Sequence, residues 1–202
     1  GVVVESDRGN REELDAALVV DATGRPSRTP AWLASNGFDA PPVDEVHIDL
    51  AYSTVLVERP PGDHTAYLVT PSAAEPRGAG VLPVEDDRWV VTVAGVHGDH
   101  PPADVDGLRR FAAGLPIPEV AALLDDRAMV GDEVAHYPFP SNVRRRYEAI
   151  DRFPEGLLVV GDGIASFNPL YGQGMSVAAL ESLVLHDVLV DADDATLAPR
   201  FY

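Results

Sequence analysis

The 202-residue sequence contains no cysteine. That excludes disulfides, thiolate metal sites and cysteine nucleophiles, and it suits a reducing compartment. Lysine is missing as well, so arginine supplies every strong positive charge. A P-loop, which needs a lysine on the nucleotide phosphates, is excluded with it. Positive charge is scarce overall: acidic residues outnumber basic ones 33 to 15, and the net charge is -18. A chain this acidic is repelled by nucleic-acid phosphates and anionic membrane surfaces, so neither is an expected partner. No apolar run reads as long enough to span a bilayer and no secretory leader pattern is present, which gives the expectation of a cytoplasmic protein without a membrane span. No Gly-x-Ser-x-Gly nucleophile elbow occurs, which removes a Ser-His-Asp hydrolase of that type. The sequence opens at Gly1 directly in VVVES and closes in LAPRFY, which reads as the opening of a helix; a segment of a longer protein is expected.

Apolar residues make up 46% of the chain, enough for a core. Val2 to Glu5 reads as a strand, SDRGNREEL as a polar turn, and Asp15 to Ala22 as an apolar strand of the buried kind. AWLASNGF is a short helical piece, and a proline-rich connection follows. From Val46 the period changes to two. VHIDLAYSTVLVE, TAYLVTPS, GAGVLPVED and DRWVVTVAGV, separated by turn signals such as PPGDH and EDD, predict an antiparallel sheet. ADVDGLRRFAAGL has helical spacing with Asp104 as its cap, PEVAALLDDR is a second helix, and EVAHYPFPS one more strand. GLLVV, Gly156 to Val160, is again a buried strand, and a long helix follows from about Gly174 to Val190. The expected organisation is an α/β composite of the α+β kind. Residues 1–45 and 141–202 form one domain, interrupted by an antiparallel-sheet domain over 46–140.

Chemistry concentrates in GDGIASFNPLYGQGMSVAALE, Gly161 to Glu181, between a strand and a helix. A helix N-terminus offers unpaired N–H groups and partial positive charge, and attracts anions or electron-rich oxygens. Gly172 and Gly174 allow close approach to the backbone. Asp162, at the carboxyl end of a strand, is an acceptor suited to sugar or polyol hydroxyls. The compact dinucleotide fingerprint does not fit, because Gly161-x-Gly163-x-x-Ser166 lacks the third glycine and the helix starts too late. His97-Gly98-Asp99-His100 groups two imidazoles and a carboxylate, but no further ligand is near in sequence, and no metal site is expected. Arg144-Arg145-Arg146 reads as a solvated or interface face rather than a phosphate site. Trp89 and Tyr52 read as fillers of the sheet.

The 161–181 stretch resembles the third flavin motif of FAD-dependent monooxygenases of the aromatic-hydroxylase fold. Within that fold it is similar to the squalene-epoxidase-like, polyether-epoxidase-like and geranylgeranyl-reductase-like branch. ALVVDATGRPSR, Ala17 to Arg28, resembles the second motif of the same family, and DLAYSTVLVERP and DRWVVTVAG resemble its substrate domain. The resemblance implies a Rossmann-like FAD-binding domain interrupted by a sheet domain, FAD as cofactor and NAD(P)H as reductant. It implies hydroxylation or epoxidation of a small apolar organic substrate by molecular oxygen, with no protein nucleophile. Saturation of prenyl double bonds by a reductase of the same fold is the second reading. By the same resemblance Asp162 bonds ribityl or ribose hydroxyls, Gly163 admits the chain to the pyrophosphate, and Pro169 lies beside the isoalloxazine ring. Gly172, Gln173, Gly174 and Met175 present their amides to the flavin's pyrimidine edge, and Thr23 and Gly24 stand where the second motif has Asp-Gly. The family's opening strand and GxGxxG are not found in this sequence. A partner chain supplying that segment, or a non-catalytic remnant, is the third reading.

Overall fold

The computed structural model describes residues 1–191 and 193–202, with the backbone alone for Asp194. Strands β1 (Val2–Glu5) and β2 (Arg11–Leu14) form an antiparallel ribbon. β2 lies inside the stretch expected to be a turn. The turn is tighter than that: Gly9 takes φ 78°, its N–H donates to the Ser6 carbonyl at 2.8 Å, and Glu5 and Arg11 then pair across the ribbon at 2.9 Å. Strand β3 (Val19–Asp21) is shorter than the expected Asp15 to Ala22, and helix α1 (Thr29–Ser35) follows with Pro30 in its first turn. Pro suits that position because the N–H it lacks has no intrahelical acceptor there.

The sheet strands come next: β4 (Val43–Glu58), β5 (Tyr67–Val69), β6 (Arg77–Val84) and β7 (Arg88–Gly95). The β6–β7 hairpin closes through Glu85, Asp86 and Asp87, and the two aspartates take positive φ, which Asp tolerates better than most residues. Helix α2 (Val105–Ala112) starts at Asp104, whose carboxylate accepts from the Gly107 amide at 2.7 Å, and α3 (Glu119–Asp126) and β8 (Ala135–Arg145) follow. β8 therefore includes most of the basic stretch expected to lie beyond the strand. The chain returns through β9 (Leu157–Val159), β10 (Ala165–Ser166), α4 (Gln173–Asp191) and α5 (Asp194–Phe201). LAPRFY is the end of α5 rather than the start of a helix, and Asp193 closes a capping box with Thr196.

The chain divides into two compact units, Gly1–Val46 with Asn142–Tyr202, and His47–Ser141. In the first, β3 and β9 pair in parallel, Val19 opposite Leu157 through Asp21 opposite Val159. Leu158 and Val159 are fully buried, whereas Val20 is exposed. Beyond Ser141, β8 pairs with β10. In the second unit the strand order is β8-β4-β7-β6-β5. Period-two alternation sends Val55, Val57, Val81, Val91 and Val93 into a core closed by Leu108, Phe111, Val120 and Leu124 of α2 and α3. Trp89 fills this core and donates its indole N–H to the Thr65 carbonyl at 3.0 Å.

Helix α4 departs from the expectation about apolar runs. By length and composition, at mean hydropathy 1.2, it could cross a membrane, and most of it is exposed within this chain. Glu181 and Asp187 lie inside it, and a charged residue at the centre of a span is costly.

Replacing Trp89 tests the second unit's core. Trp89→Phe, which loses the indole bond, is expected to cost about 1 kcal/mol, and Trp89→Ala about 3–5 kcal/mol from the added cavity. Urea unfolding followed by circular dichroism checks both; equal costs for the two variants would contradict the packing described.

Candidate functional site

Two loops leave the carboxyl ends of the paired strands β3 and β9, the position at which open α/β sheets bind ligands. The first is organised by Asp21. Its carboxylate is 5% exposed and accepts from the Thr23 amide at 2.9 Å and from the hydroxyls of Thr23 and Ser27, both at 2.6 Å. The fully buried Thr29 hydroxyl donates to it as well, at 2.5 Å. Burial alone would raise this carboxyl; the hydroxyls of Ser27, Thr23 and Thr29 and the Thr23 amide outweigh it and hold the group below the ordinary carboxylate range. The loop folds back on its own acid, and Gly24 takes φ 78° at its tip. The Thr23 hydroxyl is thus taken up by Asp21, although the residue itself is exposed.

The second loop begins where β9 ends. Gly161, at φ 61°, turns the chain out of the strand into a short 3-10 turn, Gly161–Gly163. Gly163 is buried, and a Cβ there would stand 2.6 Å from a methyl of Val159. Its need for glycine is therefore met locally by strand packing, a reason the sequence does not display. Asp162 is half-buried, and its carboxylate has one long contact, from the Ser166 hydroxyl at 3.4 Å. A Cβ on Gly24 would lie 3.8 Å from the Asp162 Cβ, and a Cβ on Gly174 3.7 Å from its Oδ1. Of the nine candidate residues, the structure brings Gly24, Asp162 and Gly174 together, with Thr23 and Gly163 in the same loops. Pro169 is exposed in the short turn Pro169–Tyr171, Gly172 has φ 62° just before α4, Gln173 opens the helix, and Met175 is 83% exposed. The acceptor carboxylate and the amide-bearing helix start therefore meet.

Three groups that the sequence left unassigned fix this geometry. Arg145 donates to the carbonyls of Arg25 at 2.8 Å, Gly163 at 3.1 Å and Asp162 at 3.4 Å, joining both loops. Arg145 thus departs from the reading of the arginine triplet as a solvated or interface face, while Arg144 fits the solvated reading in its exposed pair with Glu148. Glu181 accepts from the Gly161 amide at 2.5 Å. Asn142 takes both the backbone and side-chain N–H of buried Asn168, at 2.6 and 3.2 Å, and Asn168 in turn caps Leu170. A triplet of arginines and a glutamate inside the motif were visible signals; their partners, distant in sequence, were not. A cavity of about 260 Å3 runs beside the turn, lined by Ala22, Gly161, Asp162, Ala178, Glu181 and Ser182. A larger cleft, about 630 Å3, lies against Phe38, Tyr147, Phe153 and Tyr202 and holds none of the candidate residues.

The other constellations have local partners. Asp99 meets Arg77 through two bonds of 2.7 and 3.0 Å, and His100 meets Asp49 at 3.0 Å. Tyr52 does not fill the core: it faces away from it and stacks on Tyr137 with centroids 5.3 Å apart.

No protein-family model matches this chain. Protein Rv3254 of Mycobacterium tuberculosis is 36% identical over 189 residues, which is 90% of this chain and 40% of that protein. Among solved structures, the flavin-dependent brominase Bmp2 superposes with a TM-score of 0.67 at 18% identity, over 96% of this chain and 49% of the other. HpxO of Klebsiella pneumoniae complexed with FAD and uric acid gives 0.62 at 21%, over 98% and 48%. The flavin-dependent halogenase CmlS gives 0.62 at 17%, over 90% and 32%. The chain has the FAD-dependent monooxygenase fold, and it spans 40% of the curated relative and about half or less of these structures.

The Asp21 network predicts acid sensitivity of the first unit. The folded carboxyl lies below its unfolded value, so its contribution is complete above about pH 4 and fades as the pH falls through the folded value. Urea midpoints measured from pH 6 to pH 3 should fall more steeply in the wild type than in Asp21→Asn. Parallel profiles would contradict the network.

Proposed function

We propose that this chain carries the flavin-facing half of an FAD-dependent oxidoreductase. The whole protein would perform monooxygenase-type hydroxylation or epoxidation of a small apolar organic substrate with molecular oxygen. The observation that carries the reading is the Asp162 carboxylate standing between Gly24 and Gly174, with the start of α4 beside it. Two missing Cβ atoms leave room there, and the carboxylate keeps acceptor capacity that its long contact with Ser166 does not use. A ribityl chain offers hydroxyls to such an acceptor, and the pyrimidine edge of a flavin offers electron-rich oxygens to helix-start amides. The residues fit the group.

A bound flavin supplies the electron transfer and the reaction with oxygen. This chain's residues bind and orient. Asp162 would accept hydroxyl hydrogen bonds and the amides of Gln173 to Met175 would face the flavin's polar edge, the Gly172 amide being taken by the Pro169 carbonyl at 3.1 Å; the positive end of α4 would favour negative charge there. NAD(P)H is the proposed electron source for the whole protein; Thr23 adds no charge to its binding.

The sheet of the second unit supports an apolar substrate. Its face opposite the helices carries Tyr52, Thr54 and Leu56 on β4, Thr92 and Val90 on β7, and Leu82 on β6, three successive cross-strand rows without a charged residue. An ordinary solvated sheet face alternates to polar and charged side chains, so an uncharged one supports the reading of an apolar binding surface. The exposed Val20, Met175, Leu180 and Leu183 support a further element of the reading. Parallel strands are normally covered on both faces. We propose that a polypeptide with the dinucleotide-binding glycine loop covers them, within a longer chain or as a partner chain.

Flavin binding tests the site. In titrations followed by flavin fluorescence, Asp162→Ala should bind about ten- to a hundredfold more weakly than wild type through loss of charge-assisted hydrogen bonds. Asp162→Asn should fall between the two, and unchanged affinity in Asp162→Ala would overturn the assignment.

A further inference from the structure

We propose that Glu181 is the positioning residue of the site, acting through the amide of Gly161 to hold Asp162 against the start of α4. The proposal rests on the flavin reading above and names a residue to which that reading gives no role. The end of β9 explains why such a group is needed. The Val160 amide still donates to the Asp21 carbonyl at 3.0 Å, continuing the parallel pairing, and Gly161 then turns away at φ 61°. Its N–H leaves the ladder and points into the fold, where a donor without an acceptor is costly. The Glu181 carboxylate takes it at 2.5 Å, and an ionised acceptor makes this a charge-assisted bond.

The position of Glu181 gives the bond its reach. It lies two turns inside α4, which begins at Gln173, while Gly174 sits in the first turn of the same helix. A bond from the body of the helix to the end of β9 fixes the helix along its axis relative to the 161–163 turn. That sets where Gly174 stands, and a Cβ on Gly174 would lie 3.7 Å from the Asp162 carboxylate. Arg145 holds the same turn from the opposite polarity, through the carbonyls of Asp162 and Gly163. Amide and carbonyls of one three-residue turn are thus gripped by separate elements, and the Asp162 side chain is left aimed with its acceptors available. Glu181 also lines the cavity of about 260 Å3 that it shares with Asp162, so its carboxylate stands at the site without being one of the groups assigned to the cofactor.

The test compares wild type, Glu181→Gln and Glu181→Ala in three readouts: FAD and FMN titration, hydrogen exchange of the segment around 160–163, and the melting temperature. Glutamine keeps an oxygen for the Gly161 amide, and alanine removes it without disturbing a helix. The expected result is flavin affinity at least about tenfold weaker in Glu181→Ala, faster exchange at the turn and a lowered melting temperature, with Glu181→Gln restoring most of the affinity, the protection and the melting temperature. Turn exchange in Glu181→Ala equal to wild type would overturn the proposal, as would equal losses in both variants. If the wild type itself takes up neither flavin, the flavin reading fails, while the exchange comparison still decides whether Glu181 holds the turn.

Discussion

The guanidinium of Arg145 touches carbonyls on two loops that are far apart in sequence, at Arg25 on one side and at Asp162 and Gly163 on the other. Each loop leaves a strand of the parallel pair β3–β9, and pairing alone fixes only where the loops start. Carbonyl oxygens that point toward each other repel, and a delocalised cation with several fixed donors resolves this as a compact ammonium does less well. The chain contains no lysine, so arginine is the cation at its disposal, and at this position the planar fork is what the geometry uses.

Around that cation the first unit distributes its polar groups by polarity. Asp21 gathers hydroxyls and folds the first loop; Glu181 gathers the amide that β9 leaves behind; Arg145 gathers the carbonyls. Asp162 is the carboxylate in this group whose hydrogen-bond contact, from the Ser166 hydroxyl, is long, at 3.4 Å. A preorganised acceptor costs little to use at the moment of binding, because its neighbours have already been ordered by folding. The packing behind β9 supports the arrangement: the Val159 amide donates to the Tyr202 hydroxyl at 2.8 Å, and Tyr202 stacks on the buried Tyr147, whose phenol burial pushes up to about 12.

What could be read in the sequence was local. The apolar run at 156–160, the glycines after it and the helix beyond gave the strand–loop–helix that holds Asp162. The period-two runs from Val46 gave the antiparallel sheet, and Asp104 is the cap it was expected to be. Paired aspartates at 86 and 87 could be read as a turn because positive φ is least unfavourable for such residues. What could not be read depends on distance in the chain. The parallel pair is three residues long because β9 is, and nothing near Asp15 states that length. Arg145 looked like one member of a charged triplet, because its carbonyl partners belong to other segments. Gly163 looked like a ligand-approach glycine, although a methyl of Val159 already demands it.

A crystal structure of the chain grown with FAD tests the account most directly. It predicts flavin density at the Gly24–Asp162–Gly174 meeting point, with ribityl hydroxyls on the Asp162 carboxylate and the Arg145 and Glu181 bonds intact. Flavin bound elsewhere, or bound with the Asp162 carboxylate making no contact to it, would contradict the account.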